Sequence, residues 1–160
     1  MERCSWVGSD QIYLDYHDTE WGVPEYDSRA LWEKLILDGF QAGLSWITIL
    51  KKRDAFRRAF AGFEPEIIAQ WSSTEVDILL HNPDIVRHRG KIEATIGNAQ
   101  TYLRLEVNMP FSERIWNYVD GVPINAGYTS RNQVPTQSLL SLKISNCLLY
   151  TSDAADERRC

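Results

Sequence analysis

A chain of 160 residues with 44% hydrophobic and 24% charged residues has the length and composition of one globular domain with a hydrophobic core. The formal net charge of −5 argues against overall attraction to nucleic acid, although a local basic face remains compatible with it. No apolar run approaches the roughly 20 residues that cross a bilayer, so we expect neither a membrane span nor a secretory leader. Three cysteines without framework spacing indicate a reducing compartment, and we expect a cytoplasmic protein.

Helical signals dominate the first half of the chain. Leu31, Leu35 and Ile36 recur at helical spacing behind a capping residue. Residues 1–26 are aromatic, polar and irregular, and we expect one short helix near 10–18. Two further helical stretches are expected after it. The first is capped by Asp27 or Ser28 and interrupted at Gly39, and the second opens at Gly43 and ends at Gly62.

Helices also account for the second half. Pro65 and the run Ser72–Glu75 have the character of helix starts. Within 84–105 we expect a helix, a turn at Arg87–Gly90 and a second helix. After them we expect a helix over 111–119, a loop over 120–136 and a helix over 138–145. Because no strand series or internal repeat appears, we expect an all-α fold.

Aromatic residues concentrate near the N-terminus. Trp residues are placed where large flat contact area is useful, either in a core or against a ligand. Trp32, Trp71 and Trp116 lie in helical patterns and are expected in the core. The candidate walls of a pocket for a flat nitrogenous base are Trp6, Tyr13, Tyr16, Trp21 and Trp46. For any single member, the alternative is an aromatic core that seals the N-terminal segment.

Asp38 is the candidate catalytic residue. Its carboxylate can accept hydrogen bonds from the amino edge of a base and can stabilise nearby positive charge. By position alone, a surface Asp or a helix terminus beside Gly39 is the alternative interpretation.

Cys4 and His17 are candidate metal ligands, because a thiol and an imidazole suit zinc. A pair of this kind thirteen positions apart often arises by chance, so it carries little weight alone. The basic run Arg87-His88-Arg89-Gly90-Lys91 is a candidate DNA-binding turn, with a solvated interhelical loop as the alternative.

The combined motifs resemble the DNA-3-methyladenine glycosylase I family of bacterial alkylation-repair enzymes. The resemblance runs from Met1 to about Ser145, and the combination is much more specific than any fragment of it. The matching segments are Met1–Cys4, Trp6, Tyr16-His17, Glu20–Pro24, Gln41–Trp46, Arg87–Ile92 and Ile96–Ala99.

The resemblance implies a helical fold with a helix-hairpin-helix element that binds double-stranded alkylated DNA. It implies a monomeric, monofunctional glycosylase that flips 3-methyladenine out of the duplex and hydrolyses its N-glycosidic bond. Asp38 would take the catalytic position, where the family more often has Glu, and Tyr16 and Trp46 would be the principal base contacts. Arg87, Arg89, Gly90 and Lys91 would contact DNA.

The family also implies a structural zinc ion with four protein ligands, of which Cys4 and His17 would be two. The other two, a His and a Cys, belong to a C-terminal segment that has no counterpart here. From Cys147 the text resembles the in-frame translation of a transposon-type sequencing adapter. We therefore expect a C-terminally incomplete helical domain over 1–146 and a non-native tail over 147–160, with an ordinary polar C-terminus as the alternative.

A second functional class stays open. Asp38 in place of Glu and the incomplete zinc set are also compatible with a noncatalytic DNA- or nucleobase-binding module, or with an inactive fragment of the same fold.

Overall fold

The computed structural model describes residues 3–128 and 130–152, which form helices and loops without a strand in those two ranges. This confirms the all-α prediction. The α-helices are α1 Gln11–Thr19, α2 Ser28–Gln41, α3 Trp46–Ala59, α4 Pro65–Ile68, α5 Ser73–Leu80, α6 Arg89–Glu106, α7 Phe111–Trp116 and α8 Leu139–Ser152. Short 3-10 helices cover Ala61–Phe63, Asn117–Val119 and Arg131–Gln133. Within the described ranges, no helix is both long and apolar enough to span a bilayer.

The expected helix starts at Asp27 and Ser72 are both present. The Asp27 carboxylate accepts a hydrogen bond from the Ala30 N–H at 2.8 Å. Ser72 and Glu75 form a reciprocal capping box, in which the Ser72 N–H donates to Glu75 Oε2 at 2.6 Å. Each such cap satisfies backbone donors that the helix itself leaves free, and contributes about 1 kcal/mol.

The expected break at Gly39 is wrong, because α2 continues through Gly39 to Gln41. Phe40 is 1% exposed, and its burial offsets the cost of about 1 kcal/mol for a helical glycine. The chain turns instead at Gly43, whose φ of +84° lies in the left-handed region that favours glycine. The next helix, α3, begins only at Trp46.

The core lies between α2, α3 and the long helix α6 and is rich in aromatic rings. Phe40 and Phe56 pack with ring centroids 4.7 Å apart. Trp32 is 1% exposed and donates its indole N–H to the Phe63 carbonyl at 3.0 Å, which confirms its predicted core position. Trp71 packs against the same core while partly exposed.

The predicted turn at Arg87–Gly90 is shifted. Residues 81–88 connect α5 to α6 without a helix, and α6 already begins at Arg89. The His88 imidazole is the N-terminal cap, since its Nδ1 accepts from the Lys91 N–H at 3.2 Å. Gly90 therefore lies in the first helical turn, and its φ is not left-handed.

The C-terminal part contains the expected loop and a longer helix than expected. The loop over 120–136 holds one 3-10 turn, and α8 runs from Leu139 to Ser152, past the predicted domain end at 146. The remainder of the predicted tail, 153–160, lies outside the described residues.

Candidate active site

A cavity of about 670 Å³ opens between α1, α2, α3, α7 and the loop that follows α1. Its wall combines aromatic rings with carboxylates and cations. The lining residues used below are Tyr16, Glu20, Trp21, Glu33, Lys34, Trp46, Arg53, Arg57 and Trp116.

Tyr16 and Trp46 meet at this cavity. Tyr16 lies on α1 and is 6% exposed, and Trp46 is the first residue of α3. Their ring centroids are 5.7 Å apart with an interplanar angle of 56°. The two helices are joined beside this pair by the Ile47 N–H, which donates to the Tyr13 hydroxyl at 3.0 Å. Two predicted base contacts are thus held together by a local interhelical bond.

Burial raises the pKa of Tyr16, and the negative charges of Asp38 and Glu20 raise it further. The phenol therefore stays neutral at physiological pH and keeps its O–H as a donor. The neighbouring Trp46 indole N–H acts in the opposite direction on this pKa, although its Nε1 is buried and makes no hydrogen bond of standard geometry. The Trp46 indole N–H is therefore turned toward the Tyr16 phenol within the aromatic pair.

Asp38 lies at the edge of the cavity, on α2, rather than in its lining. Its side chain is 46% exposed and accepts from the Lys34 ammonium at 2.5 Å, one helical turn earlier. After burial, its negative charge is the next cause that raises the pKa of the Tyr16 phenol. The carboxylate is therefore near the aromatic pair but is already paired.

Lys34 also lines the cavity, although it lies in none of the predicted motifs. Its Nζ lies 4.4 Å from the centroid of the Trp46 ring. The i,i+4 spacing from Lys34 to Asp38 is a signal that could have identified the ion pair. The contact with Trp46 depends on how α3 packs against α2, which the spacing does not specify.

Of the other predicted aromatic residues, one lines the cavity and two lie behind its wall. Trp21 lines the cavity and is 54% exposed. Trp6 packs edge-on against Tyr13 and Trp21, with centroid distances of 5.3 and 5.4 Å, and does not line the cavity. The hydroxyl of Tyr13 is occupied by the Ile47 N–H. Trp6 and Tyr13 therefore support the wall from behind.

Trp116 differs from its predicted core position, because it lines the cavity. Its indole N–H donates to the Glu25 carbonyl at 2.6 Å, and its ring stacks on Tyr26 at 4.5 Å. The helical pattern around Trp116 indicated burial but could not indicate which neighbour would cover it.

Two Arg–Glu pairs complete the cavity wall, and neither was predicted. The Arg53 guanidinium donates to both Glu20 oxygens, at 2.7 and 2.9 Å. Arg57 pairs with Glu33 at 2.7 Å. The basic cluster around residues 51–58 thus contributes neutralised charges to the cavity.

Cys4 and His17 are neighbours, as the metal hypothesis requires. The Cys4 N–H lies 3.4 Å from His17 Nε2, and His17 Nδ1 lies 3.0 Å from Asp18 Oδ1. Hydrogen bonds from Arg3, then from His17, hold the pKa of Asp18 well below its usual range. Among the side chains that the structure describes, no group of three or more His, Cys, Asp or Glu could hold a metal ion. The Cys4 and His17 pair does not by itself form a complete four-ligand zinc site.

The predicted DNA-contacting cations have different surroundings. The Lys91 ammonium donates to the Phe40 and Ala42 carbonyls at 2.8 and 2.6 Å, at the end of α2. Arg89 pairs with Asp77 at 2.5 Å and with Glu93 at 3.4 Å. Arg87 is exposed and has no ion pair within the part of the chain that the structure describes.

A model of the methyladenine glycosylase family matches residues 6–151. The chain belongs to the methyladenine glycosylase family. This glycosylase chain is 46% identical over 147 residues to the DNA-3-methyladenine glycosylase of Haemophilus influenzae, covering 91% of the chain and 80% of that protein.

Solved structures agree with this assignment. A crystal structure of 3-methyladenine DNA glycosylase I is similar at a TM-score of 0.91 with 45% identity, over 94% of this glycosylase chain and 84% of that one. A Tyr-to-Phe variant of 3-methyladenine DNA glycosylase I in complex with 3-methyladenine is similar at a TM-score of 0.90 with 40% identity, over 95% and 82% of the two chains. The predicted family and fold are therefore confirmed.

Proposed function

We propose that this chain hydrolyses the N-glycosidic bond of 3-methyladenine in alkylated DNA, as a monofunctional glycosylase of base-excision repair. The observation that carries the proposal is the Tyr16–Trp46 pair at a cavity in a member of this family. Relatives that are named DNA-3-methyladenine glycosylase, and a relative in complex with 3-methyladenine, support the choice of base.

The aromatic pair would receive a base that has left the duplex. Flipping costs a few kcal/mol, and stacking on an aromatic ring returns about 1–3 kcal/mol per base. The Tyr16 hydroxyl, at the wall of the cavity, would supply a hydrogen bond that orients the base. Since N3-methylation leaves a positive charge on the base and weakens the glycosidic bond, capture and orientation carry more of the reaction than proton transfer.

Asp38 would act as the electrostatic partner of the charged base. A carboxylate close to the aromatic face stabilises positive charge and accepts hydrogen bonds from an amino group. Its present partner Lys34 has to be exchanged for the base in this role.

Asp38→Asn tests this assignment. We expect release of free 3-methyladenine from methylated duplex DNA to fall by roughly 10²–10³-fold, because an amide cannot stabilise the charge. Release is measured by chromatography of the liberated base under single-turnover conditions.

The matched control is Asp54→Asn, since Asp54 is an 81% exposed carboxylate of α3 that pairs only loosely with Arg57 at 3.5 Å. Its activity should equal that of the unsubstituted chain. Full activity in Asp38→Asn would remove Asp38 from the mechanism. Binding of 3-methyladenine without any release by the unsubstituted chain would instead favour the noncatalytic nucleobase-binding module.

We further propose that α5, residues 81–88 and α6 form a helix-hairpin-helix element that contacts double-stranded DNA. Arg87 and Gly90 are exposed, and Gly90 lies in the first turn of α6, where backbone N–H groups favour a phosphate. Arg89 already pairs with two carboxylates, and Lys91 binds backbone carbonyls. Arg87 and the Gly90 backbone are accordingly the stronger candidates among the four predicted DNA contacts.

Zinc remains a proposal. Cys4 and His17 would supply two ligands, and Asp18 would orient the imidazole through Nδ1, an arrangement common in zinc sites. Two further ligands would have to come from outside the described residues. Cys4→Ser should weaken zinc binding at least about 10-fold in a chelator competition, and equal affinity in both proteins would count against the site. A monomeric state, a cytoplasmic location and the domain boundary at 146 likewise remain predictions from the sequence.

A further inference from the structure

Lys34 occupies the two positions that the proposed function reserves for a charged base. Its ammonium lies 4.4 Å from the centroid of the Trp46 ring. The same atom lies 2.5 Å from Asp38 Oδ1. A cation within about 6 Å of an indole face is attracted by the ring quadrupole. One side chain therefore satisfies both the aromatic face and the carboxylate.

We propose that Lys34 is an internal cationic competitor that sets how strongly the cavity prefers cationic over neutral purines. This inference rests on the proposed function. An N3-methylated adenine presents the same chemistry as the ammonium, namely positive charge against Trp46 and Asp38. The base therefore binds only when the ammonium moves away from both groups.

The contacts of the Lys34 ammonium with Asp38 and Trp46 break readily. The side chains of Lys34 and Asp38 are 45% and 46% exposed, so water competes for both charges. The lysine stem is long and flexible, and the displaced ammonium stays close to the cavity that it lines. From there it repels a cationic base and leaves a neutral base almost unaffected. Lys34 thus weakens the binding of the charged ligand more than that of an uncharged one.

Lys34→Met isolates the charge, because methionine keeps an unbranched apolar stem of similar reach. Two probes distinguish charge from shape: 3,9-dimethyladeninium, which is permanently cationic, and neutral 9-methyladenine. We expect Lys34→Met to bind the cationic probe about 2- to 30-fold more tightly, the range for an exposed cation–π contact together with an exposed ion pair. The affinity for 9-methyladenine should change less. Dissociation constants come from calorimetry or NMR titration.

Lys51→Met is the matched control. Lys51 is an exposed lysine of α3 that pairs with Asp10 at 2.6 Å and does not line the cavity. Its substitution should leave the affinity for both probes unchanged. Thermal melting followed by circular dichroism establishes that both variants are folded.

A second readout follows the displacement itself. The side-chain methylene resonances of Lys34 should be shifted by the Trp46 ring current and should move toward exposed-lysine values on saturation with the cationic probe. Equal affinity changes for the two probes, or Lys34 resonances that stay fixed on saturation, would overturn the inference.

Release of 3-methyladenine from methylated DNA by the unsubstituted chain tests the proposed function separately. Release combined with unchanged purine preference in Lys34→Met rejects the inference alone. Absence of both release and purine binding rejects the proposed function and the inference with it.

Discussion

The aromatic cavity and the basic segment Arg87–Lys91 were both predicted from short motifs, yet the structure uses their side chains differently. Tyr16, Trp21 and Trp46 all line one cavity. In the basic segment, the Lys91 ammonium donates to a carbonyl at the end of α2, and the Arg89 guanidinium pairs with carboxylates.

The difference follows from the physics of the two residue types. Aromatic side chains are directed by helix periodicity and by burial, which short spacings in the sequence capture well. A long cationic side chain can reach any acceptor within several ångströms, including carbonyls distant in sequence. A cluster of cations in a sequence therefore indicates a basic surface less reliably than a cluster of aromatic residues indicates a pocket.

The larger of two expected effects distinguishes a tryptophan that contacts the ligand from one that packs in the core. Trp46→Ala should weaken the binding of 3-methyladenine by about 1–3 kcal/mol, or roughly 5- to 150-fold, because one stacking surface is lost. Trp71→Ala removes a comparable, partly buried ring that packs against Phe60 at 5.7 Å. This control should lower the melting temperature without changing the affinity for the base. Equal affinity losses in both variants would mean that Trp46 acts only through stability.

A smaller effect should distinguish a cation that contacts DNA, Arg87, from one that stabilises the fold, Lys91. Arg87→Ala should lower the dependence of DNA affinity on salt by about one phosphate contact and leave stability unchanged. Lys91→Met should do the reverse, with a loss of about 1–3 kcal/mol in the free energy of unfolding, because two carbonyls lose a charged donor. Fluorescence anisotropy at several salt concentrations and urea denaturation provide the two measurements. A destabilised Arg87→Ala, or a Lys91→Met with reduced salt dependence alone, would contradict this division.

The helices were largely predictable, because caps such as Asp27 and Ser72 and apolar spacing are local signals. The predicted break at Gly39 failed since the burial of Phe40, a tertiary effect, outweighs the helix propensity of one glycine. The turn before α6 was misplaced because His88 acts as a cap, a role that imidazole rarely takes. Local signals thus located the elements, and contacts between elements decided their ends.

The candidate site was predictable in part. Tyr16 and Trp46 were identified through the family motifs and are neighbours in the structure. Lys34, Arg53 and Trp116 were missed as cavity residues, since their positions depend on how α2, α3 and α7 meet. No spacing within one helix specifies such a meeting.

The ammonium of Lys91 connects the start of α6 to the end of α2. Its two acceptors, Phe40 and Ala42, begin two residues after Asp38 and lead into the turn before Trp46. This ammonium therefore adds two polar bonds to the apolar packing between the first turns of α6 and the end of α2. A force that pulls the 81–88 loop away from the body of the protein is borne by the backbone that positions the carboxylate and the indole.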